Sequence, residues 1–232
     1  MKAIKVLAPA KINLFLELIN RRPDGYHNLI TIMQEIDLYD EISFEINSTG
    51  DIVLTSSNKD LACDESNLIY KACKKIKERF SISAGFNIFL QKNIPMGAGL
   101  GGGSSDAASA IKALVKLFDI KCSKSILAEI ASKLGADTAF FLTGHTALCE
   151  GIGEIVTPLN CMGHLSFVLV NPNYSIATAD IFKTVKFPLT TTDRFHKIRS
   201  ALTGPLTKDI ISKMLFNRLE EFVLPYHPEI VK

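Results

Sequence analysis

The 232-residue sequence predicts an α+β fold. Three observations carry that expectation. The first sixty residues are mostly strand-like, with apolar side chains partly alternating with other types. After them the apolar period changes to that of a helix. The composition, 47% hydrophobic and 22% charged, is that of an ordinary globular chain. At this length folding buries roughly 70% of the unfolded surface, enough for a sizeable core without disulfides or metals. At about 150 residues per domain the chain makes one large domain or two small ones, with a soft boundary near residue 155.

Taken in order, residues 2–19 read as extended, with Val6, Ile12, Leu14 and Leu16 apolar and Pro9 as a break. Arg21-Arg22-Pro23-Asp24-Gly25 is a turn, because Pro presets φ and Asp-Gly tolerates positive φ. Further strands are expected at 29–36, 41–47 and 51–55. Leu68, Ile69, Ala72, Ile76 and Phe80 then form one face of a helix over Asn67–Phe80, with Ser66 as its N-cap. A short strand follows at Phe86–Leu90. Helices are expected at Ser104–Phe118 and at Ser123–Leu134, the latter capped by Gly135. Strands at 145–150, 153–157 and 166–170 and helices at 178–184, 194–201 and 206–220 complete the pattern. Pro228-Glu229-Ile230-Val231-Lys232 reads as the first turn of a helix, so a truncated C-terminus is expected.

Several function classes are excluded. Lys plus Arg number 26 against 24 Asp plus Glu, and a net charge of +2 does not suit a general nucleic-acid binder. Five Cys at 63, 73, 122, 149 and 161 show neither zinc nor CxxC spacing and read as buried thiols in a reducing cytosol. Similarly, His145, His164 and His227 have no metal spacing. No apolar run suits a membrane span, and Lys5, Pro9 and Lys11 interrupt any signal-peptide core. A cytoplasmic protein with no nucleic-acid or membrane partner is expected, acting on a small molecule as a monomer or weak homodimer.

The most informative stretch is Pro95-Met96-Gly97-Ala98-Gly99-Leu100-Gly101-Gly102-Gly103-Ser104-Ser105-Asp106. Five of the 14 glycines fall within 97–103, directly before an Ala-rich helix. Glycine lets backbone approach a ligand, and a helix N-terminus offers unpaired N–H groups and the positive end of the dipole. Together they make a phosphate site, to which Ser104 and Ser105 add hydroxyls for phosphate oxygens or a magnesium ion. An ordinary flexible loop with a serine cap is the other reading. The stretch is not a Walker A loop, which ends in Gly-Lys-Ser/Thr. It formally matches a dinucleotide fingerprint, but a second helix stands where the strand and its acidic end belong. No His-Arg-Asp or Asp-Phe-Gly follows, so it is not a protein-kinase loop.

The loop resembles the second motif of the GHMP kinases, which include galactokinase, homoserine kinase and mevalonate kinase. Ala8-Pro9-Ala10-Lys11-Ile12-Asn13-Leu14 resembles their first motif. Arg22-Pro23-Asp24-Gly25-Tyr26-His27 and Leu134-Gly135-Ala136-Asp137 look like the branch that phosphorylates a cytidine-diphosphate-linked polyol for isoprenoid precursors by the non-mevalonate route. The resemblance runs from about residue 5 to 232. It implies a two-domain GHMP-kinase fold: a ribosomal protein S5 domain 2-like N-terminal domain over 1–155 and a partial α/β C-terminal domain over 156–232. It also implies in-line transfer of the ATP γ-phosphoryl to the 2-hydroxyl of a cytidine-diphosphate-linked methylerythritol, with Mg2+ carried by ATP and no phosphoenzyme.

The same resemblance assigns roles. Asp137 becomes the catalytic base; a helix-terminal or N-cap Asp is the alternative. Lys11, which also fits a solvated face of an edge strand, sits beside that Asp in the family and keeps it ionised. Residues 95–105 bind ATP, with Asn67 and Lys92 at positions that contact the adenine nucleotide. Asn67 also suits a helix start, and Lys92, in Gln91-Lys92-Asn93, an exposed strand. Asn13, Tyr26, His27 and Phe182 bind the substrate, with Tyr26 and Phe182 sandwiching the cytosine. Surface aromatics or a core Phe are the alternatives. Metal ligands are unassigned, and Glu150-Gly151-Ile152-Gly153-Glu154 is read as a plain strand turn.

Two departures stand out. A Gly-rich third motif is expected near the family's C-terminus, yet Gly204 is the last glycine. The family's Gly-Ala-Asp-Val-Pro is here Gly135-Ala136-Asp137-Thr138-Ala139. A truncated, inactive nucleotide-binding chain and another GHMP small-molecule kinase, such as homoserine kinase, therefore stand as alternatives.

Overall fold

The computed structural model describes residues 2–160, 164–171, 181–182, 184–185, 198, 202 and 204–227. Its strands are β1 (Ala3–Arg21), β2 (His27–Asn47), β3 (Ile52–Ser56), β4 (Gly85–Gln91), β5 (Thr146–Gly151), β6 (Ile155–Pro158) and β7 (Phe216–Asn217). Its helices are α1 (Leu68–Phe80), α2 (Gly102–Leu117), α3 (Lys124–Ser132), α4 (Thr138–Thr143), α5 (Lys208–Met214) and α6 (Glu220–Val223), the last followed by a 3-10 turn at Leu224–Tyr226. The sheet runs β3-β4-β2-β1-β7, and β5 pairs with both β2 and β6. Pairing is mixed: β3 with β4 and β1 with β7 are parallel, whereas β2 is antiparallel to β4 and β5. The expected α+β class is therefore observed; through β6 the elements follow the anticipated order except that β2 is one continuous strand and that α4 was not expected.

Packing divides the chain into two units that interleave in sequence. The first comprises Met1–Lys11, Ile36–Met96 and Leu100–Leu142. The second comprises Ile12–Glu35, Gly97–Gly99 and Thr143–Lys232. This partition by packing is distinct from the expected boundary near residue 155, which stands as a proposal.

In the first unit, the C-terminal half of β2 lies against β4, and the sheet buries Ile42, Phe44, Ile88 and Leu90 under α1 and α2. Helix α1 buries Ile69, Ala72, Cys73 and Ile76, the i, i+3, i+4, i+7 stripe of an amphipathic helix. Helix α2 contributes Ala107, Ala110, Ile111 and Leu114, and the small side chains of the two alanines let its backbone run close to its neighbours. Each fully buried large side chain contributes roughly 1.5–3 kcal/mol relative to exposure. In the second unit, β1 and β2 contribute Leu14, Phe15, Ile30 and Ile32, which pack with Leu148, Leu206 and Ile211. Here β7 is tied to β1 by Arg218, whose N–H donates to Leu16 O and whose guanidinium grips fully buried Glu17 at 2.7 and 2.8 Å.

Several expectations are corrected. Strands 29–36 and 41–47 are one strand, because Asp40 in the intervening polar stretch is buried and its carboxylate is bonded rather than exposed in a turn. The N-cap of α1 is Asn67, whose side chain accepts the Ile69 N–H at 2.8 Å; Ser66 instead donates to Asp64. Helix α3 ends at Ser132 with Lys133 as its cap, not Gly135. The expected helix 206–220 is α5, then β7, then the start of α6, because Phe216 is recruited to the edge of β1 beside Phe15. Residues 166–170 are not a strand. The helix 178–184 lies largely outside the described residues, as does 194–201, and so does 228–232 entirely. Cys161 also lies outside them; Cys63, Cys73, Cys122 and Cys149 form no disulfide among the described residues. The turn at 150–154 is the β5–β6 connection, as expected.

Candidate active site

The phosphate loop is built by backbone geometry. Gly97, Gly99 and Gly101 have φ of 68°, 72° and 71°, a region side chains rarely adopt. Gly101 is the N-cap of α2, so the helix opens directly on the loop with no side chain closing its first N–H groups. A Cβ at Gly101 would lie 2.9 Å from Phe141 Cε2 and 3.0 Å from Lys11 Cγ. The glycine is thus required twice, by φ and by contact. The neighbouring Leu100 O accepts the Lys11 N–H at 2.9 Å, which ties the end of the loop to β1.

Lys11 and Asp137 meet. Lys11 Nζ is 3.6 Å from Asp137 Oδ2, with side-chain exposures of 8% and 28%. The solvated-edge reading of Lys11 is therefore wrong: its stem is enclosed and its ammonium faces a carboxylate. Asp137 directly precedes α4, and its carbonyl accepts the Phe141 N–H at 3.3 Å. The far end of α4 is held by Lys112 Nζ on Phe141 O at 2.6 Å. Within the first unit, one buried ammonium, one accessible carboxylate and one helix N-terminus thus converge. That set can neutralise transferring phosphate and accept a proton.

The alternative reading of Lys92, an exposed strand lysine, does not hold. Its side chain is buried between the carboxylates of Asp40 and Asp106, the second at 2.9 Å. Burial pushes the Asp106 carboxyl up to about 7; Lys92 opposes that rise and Asp40 adds to it. Asp106 Oδ1, Ser105 Oγ and Thr138 Oγ1 are buried without hydrogen-bond partners among the described residues. Asn67 spends its side chain on capping α1 and on Ala62 O at 2.7 Å, while the adjacent Leu68 is 3.6 Å from a Cβ placed on Gly103. Sequence reading missed Asp40 and Asp106. The available signal was an Asp set on the apolar stripe of an Ala-rich helix, one position past the loop.

In the second unit, the turn before Tyr26 is closed by Asp24, whose carboxylate accepts the Tyr26 N–H, and by Gly25 at φ 88°. It presents Tyr26 at 60% exposure. His27 is buried and stacked on Phe182, with centroids 5.3 Å apart and 23° between planes. Burial, and then the nearby Arg21 charge, lower its pKa, so its ring is neutral at pH 7. Asn13 donates to Thr31 Oγ1 at 2.6 Å.

A family model described as the GHMP kinases N terminal domain matches residues 67–145, the stretch from the cap of α1 to the residue before β5. A protein of Caldicellulosiruptor bescii named 4-diphosphocytidyl-2-C-methyl-D-erythritol kinase is 38% identical over 228 residues, which cover 98% of this chain and 79% of that one. The chain belongs to the 4-diphosphocytidyl-2-C-methyl-D-erythritol kinase family of GHMP kinases. A member of this family from Prochlorococcus marinus strain MIT 9515 is 50% identical over 182 residues, 78% of this chain. The match spans 58% of that relative's length. A crystal structure described as 4-(cytidine 5'-diphospho)-2C-methyl-D-erythritol kinase superposes with a TM-score of 0.75 at 30% identity, covering 98% of this chain and 80% of that one.

Proposed function

We propose that the chain transfers the γ-phosphoryl of ATP to the 2-hydroxyl of 4-diphosphocytidyl-2-C-methyl-D-erythritol. The observation that carries this reading is the Lys11–Asp137 pair beside the Leu100–Gly101 end of the phosphate loop. Asp137 takes the hydroxyl proton, the freed oxygen attacks the γ-phosphorus, and the bond from phosphorus to the ADP oxygen breaks. Lys11 neutralises the developing oxyanion. Transfer is direct, so no enzyme nucleophile is phosphorylated.

Residues 95–105 hold the phosphates, and Asn67 and Lys92 stand at the positions expected to contact the adenine nucleotide. Tyr26, His27 and Phe182 recognise the cytosine, and Asn13 the polyol. Neutral His27 both donates and accepts, as a base edge requires. Magnesium fits as an ion carried by the triphosphate. Among the described residues no cluster of three or more His, Cys, Asp or Glu side chains forms a cage. Ser105 Oγ, a hard oxygen without a partner, can complete the ion's shell. When bound, the ion offsets phosphate charge. No helix among the described residues is long and apolar enough to cross a membrane, and the reading is of a cytoplasmic monomer or weak homodimer acting on a small molecule, with no nucleic-acid or membrane partner. The expected boundary near residue 155 belongs to the same reading.

Phosphorus NMR tests the activity. The 232-residue chain is given ATP and magnesium with diphosphocytidyl methylerythritol in one tube and homoserine in another. A new monoester signal with ADP in the first tube alone is expected. ATP binding without a new monoester there, or a monoester with homoserine, would overturn the proposal.

A further inference from the structure

The charge cluster below the phosphate loop has a geometry that packing alone does not require. Asp40 is wholly buried, and Lys92 and Asp106 nearly so. Two carboxyl groups and one ammonium in a dry site carry a large desolvation penalty, and apolar residues of like volume often stabilise a fold as well or better. What the cluster does uniquely is hold backbone. Asp40 Oδ1 accepts the N–H of Asn93 at 2.6 Å and of Ile94 at 2.8 Å. These two residues directly precede Pro95, where the loop begins. Asp40 Oδ2 binds Lys92, whose ammonium passes on to Asp106 Oδ2 at 2.9 Å, on α2 one residue past Ser105. That ammonium lies 2.9 Å from where a Cβ on Gly102 would be, so it also lies against the first residue of the helix.

One buried carboxylate therefore ties down both ends of a glycine-rich segment that has little stiffness of its own. Phosphate recognition by backbone N–H groups depends on having them oriented beforehand, because ordering a loose loop on binding subtracts from affinity. We propose that Asp40 is a positioning residue for ATP, holding the start of the phosphate loop directly and its end through Lys92 and Asp106. This rests on the nucleotide-binding half of the functional reading and not on the identity of the acceptor.

The test uses the 232-residue chain and two variants, Asp40→Asn and the double exchange Asp40→Asn with Lys92→Met. The double exchange removes one positive and one negative charge together. Asp106, whose carboxyl burial already pushes up to about 7, takes up a proton where it loses the ammonium, so the exchange protects against simple unfolding. Affinities for magnesium-ATP and for diphosphocytidyl methylerythritol are measured separately by calorimetric titration, with circular dichroism confirming the fold. ATP affinity is expected to fall at least about tenfold, the scale of one lost bond to a charged group, with the polyol affinity within about twofold of wild type. A folded variant that binds ATP within about twofold of wild type, or that loses both ligands equally, would overturn the inference. Wild-type chain that binds ATP but phosphorylates nothing would overturn the functional reading alone, since the ATP affinities still decide the role of Asp40. Wild-type chain that binds no ATP would overturn both.

Discussion

Lys11 Nζ lies 3.6 Å from Asp137 Oδ2, although the two residues stand 126 positions apart in the chain. Two elements of the first unit create the meeting. Strand β1 carries Lys11, whose backbone is bonded to Leu100 O of the loop. Helix α4 follows Asp137, and its Phe141 ring lies against Gly101. The pair is thus fastened to the loop from both sides.

Asp137→Asn is expected to lower turnover by at least about 100-fold, the usual scale for removing a general base. The amide keeps the size of the side chain, so ATP affinity and the thermal midpoint should change little. Steady-state assay with both substrates checks this, and near-wild-type turnover would remove Asp137 from the mechanism.

Phe182→Ala is expected to raise the KM for the cytidine substrate by about tenfold while leaving the KM for ATP unchanged, on the scale of base stacking on an aromatic ring. The change also strips His27 of its stacking partner. Tyr26→Ala should act in the same direction without loss of stability, because Tyr26 is 60% exposed. Equal effects on the two KM values would count against base recognition.

Asp106 predicts a pH dependence of stability. Its carboxyl is pushed up to about 7 in the fold, chiefly by burial, from an ordinary value of 3.8. Between those values the unfolded chain has released the proton and the folded chain still holds it. The folded state binds more protons, so stability falls as pH rises from about 4 through about 7. Asp106→Asn removes this slope. Urea unfolding at pH 5 and pH 8 should show the variant gaining roughly 1–4 kcal/mol on the wild type at the higher pH. A gap that does not grow with pH would contradict the buried protonated carboxyl.

Arg218→Met is expected to cost roughly 3–5 kcal/mol, because it strands the carboxylate of fully buried Glu17. Adding Glu17→Gln should recover much of the loss, since no buried charge is then left unpaired. Urea midpoints of the single and double variants decide it. A single variant as stable as the wild type would show that Glu17 finds another partner.

Much of the fold was legible because local rules and tertiary demands agree. The stripe Ile69, Ala72, Cys73, Ile76 announces α1, and the glycine cluster before an Ala-rich run announces the loop and α2. Asp40 was not legible. An Asp within Asp37-Leu38-Tyr39-Asp40 suggests a turn, and only the N–H groups of Asn93 and Ile94, more than fifty residues away, make a buried strand position acceptable. Phe216 was misread for the same reason: its helical neighbourhood is overridden by pairing with Phe15.

By itself the sequence determined most of the helices and strands through β6, though not α4 or the continuity of β2, and also where the phosphate loop begins and which residue types are available for phosphoryl transfer. These follow from period, glycine content and chemistry within a few residues of each other. Only the tertiary structure decided that Lys11 faces Asp137, that Lys92 is bound between Asp40 and Asp106, and that His27 lies on Phe182. Each is a contact between distant segments, set by strand pairing and by burial. Whether a charge is solvated or matched depends on what the rest of the chain packs against it.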